Sequence, residues 1–168
     1  MKTSYSLLLA ATLALIGLAH ADDDEHGSGG KRPKQLAISA KAPAVWKTEC
    51  SSCHMAYPPC LLPPAAWQQH MDTLKNHYGS NATLDAGDEK TIRDFLRVAS
   101  AANKQPVVRA KAGEPPRITT TAWFINKHDE VRADVWRRKS IGSAANCQAC
   151  HSGADKGDFD EDGVSIPR

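Results

Sequence analysis

The chain has 168 residues, carries 21 Lys and Arg against 19 Asp and Glu, and is 41% hydrophobic. A net charge of +2 provides no strong basic field, which argues against a nucleic-acid partner. The length suits one domain or two small ones, and the aromatic content of 6% limits the core that side chains alone can build.

The N-terminal region is typical of an exported protein. Lys2 supplies a positive charge, residues 7–19 form an apolar run too short to span a bilayer, and Ala19-His20-Ala21 fits the small-x-small cleavage pattern. We therefore predict a signal peptide over residues 1–21, with a retained membrane anchor as the alternative. Residues 22–40 are charged, Gly-rich and without periodicity, which predicts a disordered tail.

Two Cys-x-x-Cys-His motifs carry the strongest chemical signal. They lie at Cys50-Ser51-Ser52-Cys53-His54 and at Cys147-Gln148-Ala149-Cys150-His151. At this spacing two thiols can add to the two vinyl groups of one porphyrin, and the histidine becomes the proximal iron ligand. A single motif could serve zinc or redox chemistry, but two copies in an exported chain predict two covalent c-type haems. Because c-type haem is attached in the periplasm, we predict that compartment.

Helices and a loop are predicted around the first motif. A short helix over residues 42–53 leads into it, with Val45 and Trp46 available for packing. The proline-rich residues 57–64 cannot be helix interior and are expected to form a loop against the porphyrin. The next helix is predicted from Pro64 to Gly79. Its apolar stripe consists of Trp67, Met71, Leu74 and Tyr78, with His70 and His77 on the flank.

The remaining elements suggest a second haem-binding region. A helix is predicted over residues 88–102, with Ile92, Phe95, Leu96 and Ala99 facing inward. Residues 103–116 lack periodicity and predict a boundary between domains 41–105 and 106–168. Beyond it, a helix over residues 122–139 is expected, capped by Thr121 or a neighbouring threonine. Phe124, His128, Val131 and Val135 share one face of this helix. The fold class is therefore mainly α.

The sixth iron ligand decides whether a haem binds small molecules or only passes electrons. His77 ends its helix where a distal ligand could lie over the first haem. His128 lies on an apolar face, where an unpaired imidazole is costly to bury and coordination would offset that cost. We predict these two as distal ligands, with His54 and His151 as the proximal ones. His70, on the same flank as His77, is the alternative for the first haem.

Other candidate ligands are less favoured. Met55 directly follows the proximal histidine and cannot reach the opposite face, and Met71 is expected in the core. Cys60 lies outside both motifs and is predicted to be a free thiol, with an intermolecular disulfide or thiolate ligation as alternatives. Tyr57 follows His54 by three residues, so it is a candidate bridge between the haems, although ordinary packing is the default for a tyrosine.

With these residues placed, the chain resembles the small periplasmic dihaem cytochromes c that donate electrons to a high-spin, oxygen-binding monohaem cytochrome c of the SHP type. The resemblance rests on the two haem motifs and on three further stretches. These are Met-Ala-Tyr-Pro-Pro after His54, His77-Tyr-Gly-Ser-Asn-Ala, and Trp123-Phe-x-x-Lys-His128.

The resemblance implies a class I cytochrome c-like first domain, in which His77 takes the place usual for methionine. It also implies a smaller, haem-centred second domain with little regular structure, bis-histidine ligation of both irons, and Tyr57 between the haems. Cys60 departs from the family pattern, where a small residue is expected.

Three functions are compatible with this sequence. Electron transfer from a membrane-bound or soluble donor to a redox partner needs two saturated irons, and no catalytic residue is then required. A haem enzyme, such as a peroxidase or a small-molecule reductase, needs one ligand-labile haem. The third has no haem and uses the motifs for zinc or disulfides. We favour electron transfer, with charge patches that steer a partner cytochrome.

Overall fold

The computed structural model describes residues 36, 38, 39, 41–107 and 114–168. The predicted signal peptide and nearly all of the predicted tail lie outside these residues. The described residues belong to one compact unit. Their regular structure is helical and contains no strand, which confirms the predicted fold class. None of the helices in these ranges is long and apolar enough to cross a membrane.

Three α-helices build the first half of the described chain: α1 (Ala44–Cys50), α2 (Pro64–Asp72) and α3 (Ala86–Ala99). Their common core consists of Trp46, Ala56, Met71, Ile92 and Leu96. Met71 is therefore a core residue, as predicted. The ring of Trp46 also contacts Phe95, with centroids 5.0 Å apart. Burial of these apolar side chains against one another stabilises the region that carries the first motif.

The predicted helix over residues 64–79 is wrong in its second half. Helix α2 begins at Pro64 as expected but ends at Asp72. The hydroxyl of Thr73 donates to the carbonyls of Gln69 and His70, at 2.8 and 3.2 Å, and such side-chain bonds compete with the regular backbone ladder. A 3₁₀ turn over Leu74–Asn76 follows. The predicted stripe is therefore helical only as far as Met71.

The second half of the chain contains one α-helix, α4 (Ala122–Lys127), among the residues described there. Thr121 caps it as predicted, because its Oγ1 accepts from the backbone N–H of Phe124 at 3.1 Å. The predicted extension to residue 139 is wrong. His128 turns its ring back so that Nδ1 bonds to the carbonyl of Phe124 at 2.8 Å, and its backbone N–H bonds to Ile125 instead.

After α4 the chain proceeds through short 3₁₀ turns, including Val135–Arg137, Cys147–Ala149 and Ala154–Lys156. Ile141 and Ala154 are buried between these turns. This arrangement matches the expected scarcity of regular structure. Residues 108–113, inside the predicted boundary, lie outside the described residues, so the division into two haem domains stays a prediction.

Candidate haem sites

The first motif follows directly from α1. Cys50 is the last residue of the helix, and the chain then turns so that Cys53 and His54 reach the surface. The His54 Nδ1 atom lies 2.8 Å from the carbonyl of Met55. A ring nitrogen that donates to a carbonyl fixes the tautomer and leaves the other nitrogen for a metal. The Nε2 atom of His54 is therefore available to bind a metal.

The ring of His77 faces that of His54, with centroids 6.2 Å apart and planes inclined by 35°. When two imidazoles bind the same metal from opposite sides, each at about 2 Å, their ring centroids lie about 6 Å apart. Within the described residues, the Nδ1 atom of His77 is buried and has no hydrogen-bond partner. The centroid separation of 6.2 Å therefore fits an iron between the two rings.

His70 also lies close to this pair. Its ring centroid is 5.8 Å from that of His77, but its Nε2 donates to the carbonyl of Pro116 at 2.8 Å. Burial lowers the pKa of His70 to about 4, so the imidazole is neutral at physiological pH. The Nε2 atom of His70 is thus engaged elsewhere, whereas the bonds of His54 and His128 use Nδ1 and leave Nε2 available. This difference favours His77 over His70 as the distal ligand.

The second site lies beside α4. His128 and His151 have ring centroids 6.2 Å apart, the same separation as the first pair, with planes at 83°. The Nδ1 atom of His151 is also buried without a hydrogen-bond partner among the described residues. The His128 ring stacks on Phe124, with centroids 4.1 Å apart. Its bond to the Phe124 carbonyl fixes this ring in the same way as Met55 fixes His54.

An apolar cavity surrounds the second pair and contains about 610 Å³ of space, including the part open to solvent. Cys147 and Cys150 line it together with His128 and His151. Trp136 and Phe159 add aromatic walls, with centroids 5.7 Å from His128 and 5.3 Å from His151. Trp136 was missed as a site residue because it falls outside the helical stripe that linked Phe124, His128 and Val135.

Tyr57 links the surroundings of the two motifs. Its ring stacks on His54 with centroids 4.9 Å apart, and its hydroxyl donates to the carbonyl of Ala145 at 2.8 Å. Burial, and secondarily the nearby Cys147, raise the pKa of Tyr57 to about 12, so the hydroxyl keeps its proton. Cys53 and Gln148, one from each motif, line the same open groove. The two motifs are therefore neighbours.

The cysteine environment favours uncharged thiols. Burial raises the pKa of Cys50 and of Cys147 to about 11. Cys60 is half-buried and burial likewise raises its pKa to about 11. Its carbonyl accepts from the side chain of Asn103 at 2.7 Å, which ties the proline-rich loop to the end of α3.

Two Cys-x-x-Cys-His motifs, each next to a pair of facing histidines, define a c-type cytochrome with two haems. The family model for dihaem cytochrome c matches residues 46–159. The chain therefore belongs to the dihaem cytochrome c family. This membership confirms the predicted family and the prediction of two c-type haems, and it favours haem over zinc or disulfides at the motifs.

Solved structures support the same assignment. A dihaem cytochrome c from Shewanella baltica OS155 is 41% identical with a TM-score of 0.64, over 74% of this chain and 92% of that one. A dihaem cytochrome c from Rhodobacter sphaeroides is 36% identical with a TM-score of 0.61, over 73% and 100%. A second structure from Rhodobacter sphaeroides is 39% identical with a TM-score of 0.59, over 73% of this chain and 99% of that one. No curated protein matches the chain.

Proposed function

We propose that this dihaem cytochrome transfers electrons between redox partners through two low-spin, bis-histidine haems. His54 and His77 would bind the first iron, and His151 and His128 the second. The observation that supports this most directly is the common 6.2 Å separation of the two ring pairs. A filled sixth position limits an iron to passing electrons, and no catalytic residue is assigned.

The haem supplies one-electron chemistry, and the protein supplies orientation and a tuned environment. Backbone carbonyls of Met55 and Phe124 hold one ligand ring of each pair in a fixed tautomer. At the second site the rings of Trp136 and Phe159 contact those of His128 and His151. Such preorganised surroundings keep the ligand geometry similar in both oxidation states, which favours fast electron transfer.

The route between the two sites is proposed to pass Tyr57. Its ring stacks on the first proximal ligand, and its hydroxyl bonds to the segment just before Cys147. A contact that joins both sites shortens the through-space part of the route. Ordinary packing would be enough to explain the stack of Tyr57 on His54. The additional hydrogen bond to Ala145 favours a bridging role.

The partner is proposed from the family resemblance to be an SHP-type monohaem cytochrome c in the periplasm, with electrons supplied by a membrane-bound or soluble donor. Several exposed charges lie near the second site, among them Lys127, Arg132 and Glu161. Such charges raise the association rate more than the affinity. The complex is therefore expected to be transient and to weaken as salt screens the charges.

The test is an optical and electron paramagnetic resonance spectrum of the holoprotein in both redox states. Two distinct low-spin ferric signals are expected, because the ligand planes are inclined by 35° in one pair and 83° in the other. A high-spin band, or carbon monoxide binding by the reduced protein at rest, would instead favour a haem enzyme with a labile ligand. Conversion of the first haem to high spin by His77→Ala would identify its distal ligand.

A further inference from the structure

The turn that carries His77 is held in an unusual backbone conformation. The backbone N–H of His77 donates to Ser80 at 2.7 Å, and that of Ser80 donates back at 3.1 Å. Between them, Tyr78 has a φ of +53° and Gly79 a φ of +96°. Glycine adopts positive φ at little cost, but tyrosine seldom does. The conformation of Tyr78 therefore requires support from surrounding residues.

Residues 115–117 provide that support from further along the chain. The hydroxyl of Tyr78 donates to the carbonyl of Pro115 at 3.0 Å, and His70 Nε2 donates to the carbonyl of Pro116 at 2.8 Å. The guanidinium carbon of Arg117 lies 3.8 Å from the centroid of the Tyr78 ring. Both prolines are buried, and their fixed φ angles make the two carbonyls a rigid platform. We call residues 115–117 the distal clamp.

Tyr78 and His70, whose side chains bond to the clamp, both contact the ring of His77. The Tyr78 centroid lies 5.0 Å from that of His77 in an edge-on arrangement, and the His70 centroid lies 5.8 Å away. Arg117 is also paired with Glu114 at 3.2 Å, which restricts the guanidinium. The ring of His77 is thus in contact with two side chains, and each of these is hydrogen-bonded to the clamp.

We propose that the distal clamp is a positioning element for the distal ligand of the first haem, acting on His77 through Tyr78 and His70. The proposal rests on the proposed function, in which His77 is that ligand. Arg117 has a second effect, because its permanent positive charge near the ligand favours the reduced state of the first iron.

The clamp is also directly followed in the chain by a residue of the second site. Ile118, the next residue, lines the cavity around His128 and His151, and the chain then enters α4, which His128 directly follows. A single short segment therefore braces the distal ligand of one haem and forms part of the pocket of the other. The two sites are expected to keep a fixed mutual geometry for this reason.

The test uses the full holoprotein and follows the rate at which cyanide replaces the distal ligand of each ferric haem. Tyr78→Phe removes only the bond to Pro115, and Arg117→Gln removes the cation from the tyrosine ring. Both variants are expected to raise the exchange rate at the first haem tenfold or more. Arg117→Lys keeps a cation that can lie over the ring and should return the rate toward that of the wild type.

The control is Arg97→Gln, which makes the same substitution at an exposed arginine that pairs with Asp94 on α3. Its exchange rates should equal those of the wild type, and the second haem serves as an internal reference in every variant. The reduction potential is an independent readout. Arg117→Gln should lower the potential of the first haem, whereas Tyr78→Phe, which changes no charge, should not.

Wild-type exchange rates in both Tyr78→Phe and Arg117→Gln would overturn the clamp. If Arg117→Gln does not assemble with haem, Tyr78→Phe alone decides, because it removes a single oxygen atom. His77→Ala separates this inference from the proposed function. A first haem that stays low-spin in His77→Ala contradicts the ligand assignment, whereas a high-spin first haem with unchanged rates in the clamp variants contradicts the clamp alone.

Discussion

Replacement of His128 by alanine tests the ligand assignment at the second haem. The substitution removes the bond to the Phe124 carbonyl, with a net contribution of about 1 kcal/mol. It also removes the stack on the Phe124 ring, which contributes about 0.5–1.5 kcal/mol. The sum, about 2 kcal/mol, is smaller than the roughly 5–15 kcal/mol by which domains are stable. The variant should therefore fold and bind both haems.

The expected result is a protein with one low-spin and one high-spin haem. Optical spectra of the ferric state should gain a high-spin band, and the low-spin resonance of the second haem should disappear. The reduced variant should bind carbon monoxide at one haem per chain. Added imidazole should fill the space left by the side chain and restore the low-spin spectrum. That rescue separates the loss of a ligand from damage to the fold.

The control is Lys127→Ala, because Lys127 precedes His128, is exposed and pairs with Glu161 on the surface. Exposed ion pairs of this kind contribute about 0–1 kcal/mol, so both haems should stay low-spin. The reasoning would be refuted if His128→Ala kept two low-spin haems without added imidazole. Another side chain would then be the sixth ligand of the second haem.

Three further predictions concern the surroundings of the sites. Tyr57→Phe should lower the free energy of unfolding by no more than about 1 kcal/mol but slow electron exchange between the haems after flash reduction; an unchanged rate would exclude the bridge. Ile92→Ala should cost about 2–5 kcal/mol in denaturant unfolding because this side chain is fully buried, whereas Val98→Ala, exposed by 63%, should be nearly neutral. Since the pKa of Cys60 is raised to about 11, iodoacetamide should label the native protein slowly, and the labelling rate should rise about tenfold for each pH unit up to that value. After denaturation one label per chain is expected. More than one label would show that a thioether bond to haem is missing.

The cofactor chemistry could be predicted from the sequence because covalent attachment requires a local motif. The spacing of Cys50, Cys53 and His54, repeated at the second motif, indicates a haem and its proximal ligand at each motif, and family membership confirms two c-type haems. The helical class, the Thr121 cap and the core position of Met71 also follow from local patterns. These features depend on residues that lie close together in the chain.

The contacts that position the ligands could not be predicted in this way. The carbonyl of Pro116 meets His70 across 46 positions of sequence, and that of Pro115 meets Tyr78 across 37. Backbone carbonyls leave no signature in residue identity, so no pattern marks them as partners. The choice between His70 and His77 stayed open for this reason, and the hydrogen bond of His70 is what favours His77.

Both wrong helix boundaries share one physical cause. Apolar periodicity continues through residues 64–79 and 122–139, because the side chains on that face are at least partly buried whether or not the backbone stays helical. At His128 the ring takes the Phe124 carbonyl, which the backbone N–H of a continuing helix would use. At His77 the chain has left α2 and turns sharply at Tyr78 and Gly79. A histidine beyond a helix end is released from the helical surface and can project toward a facing ring. Both proposed distal ligands, His77 and His128, lie in the segments that were wrongly predicted to be helical.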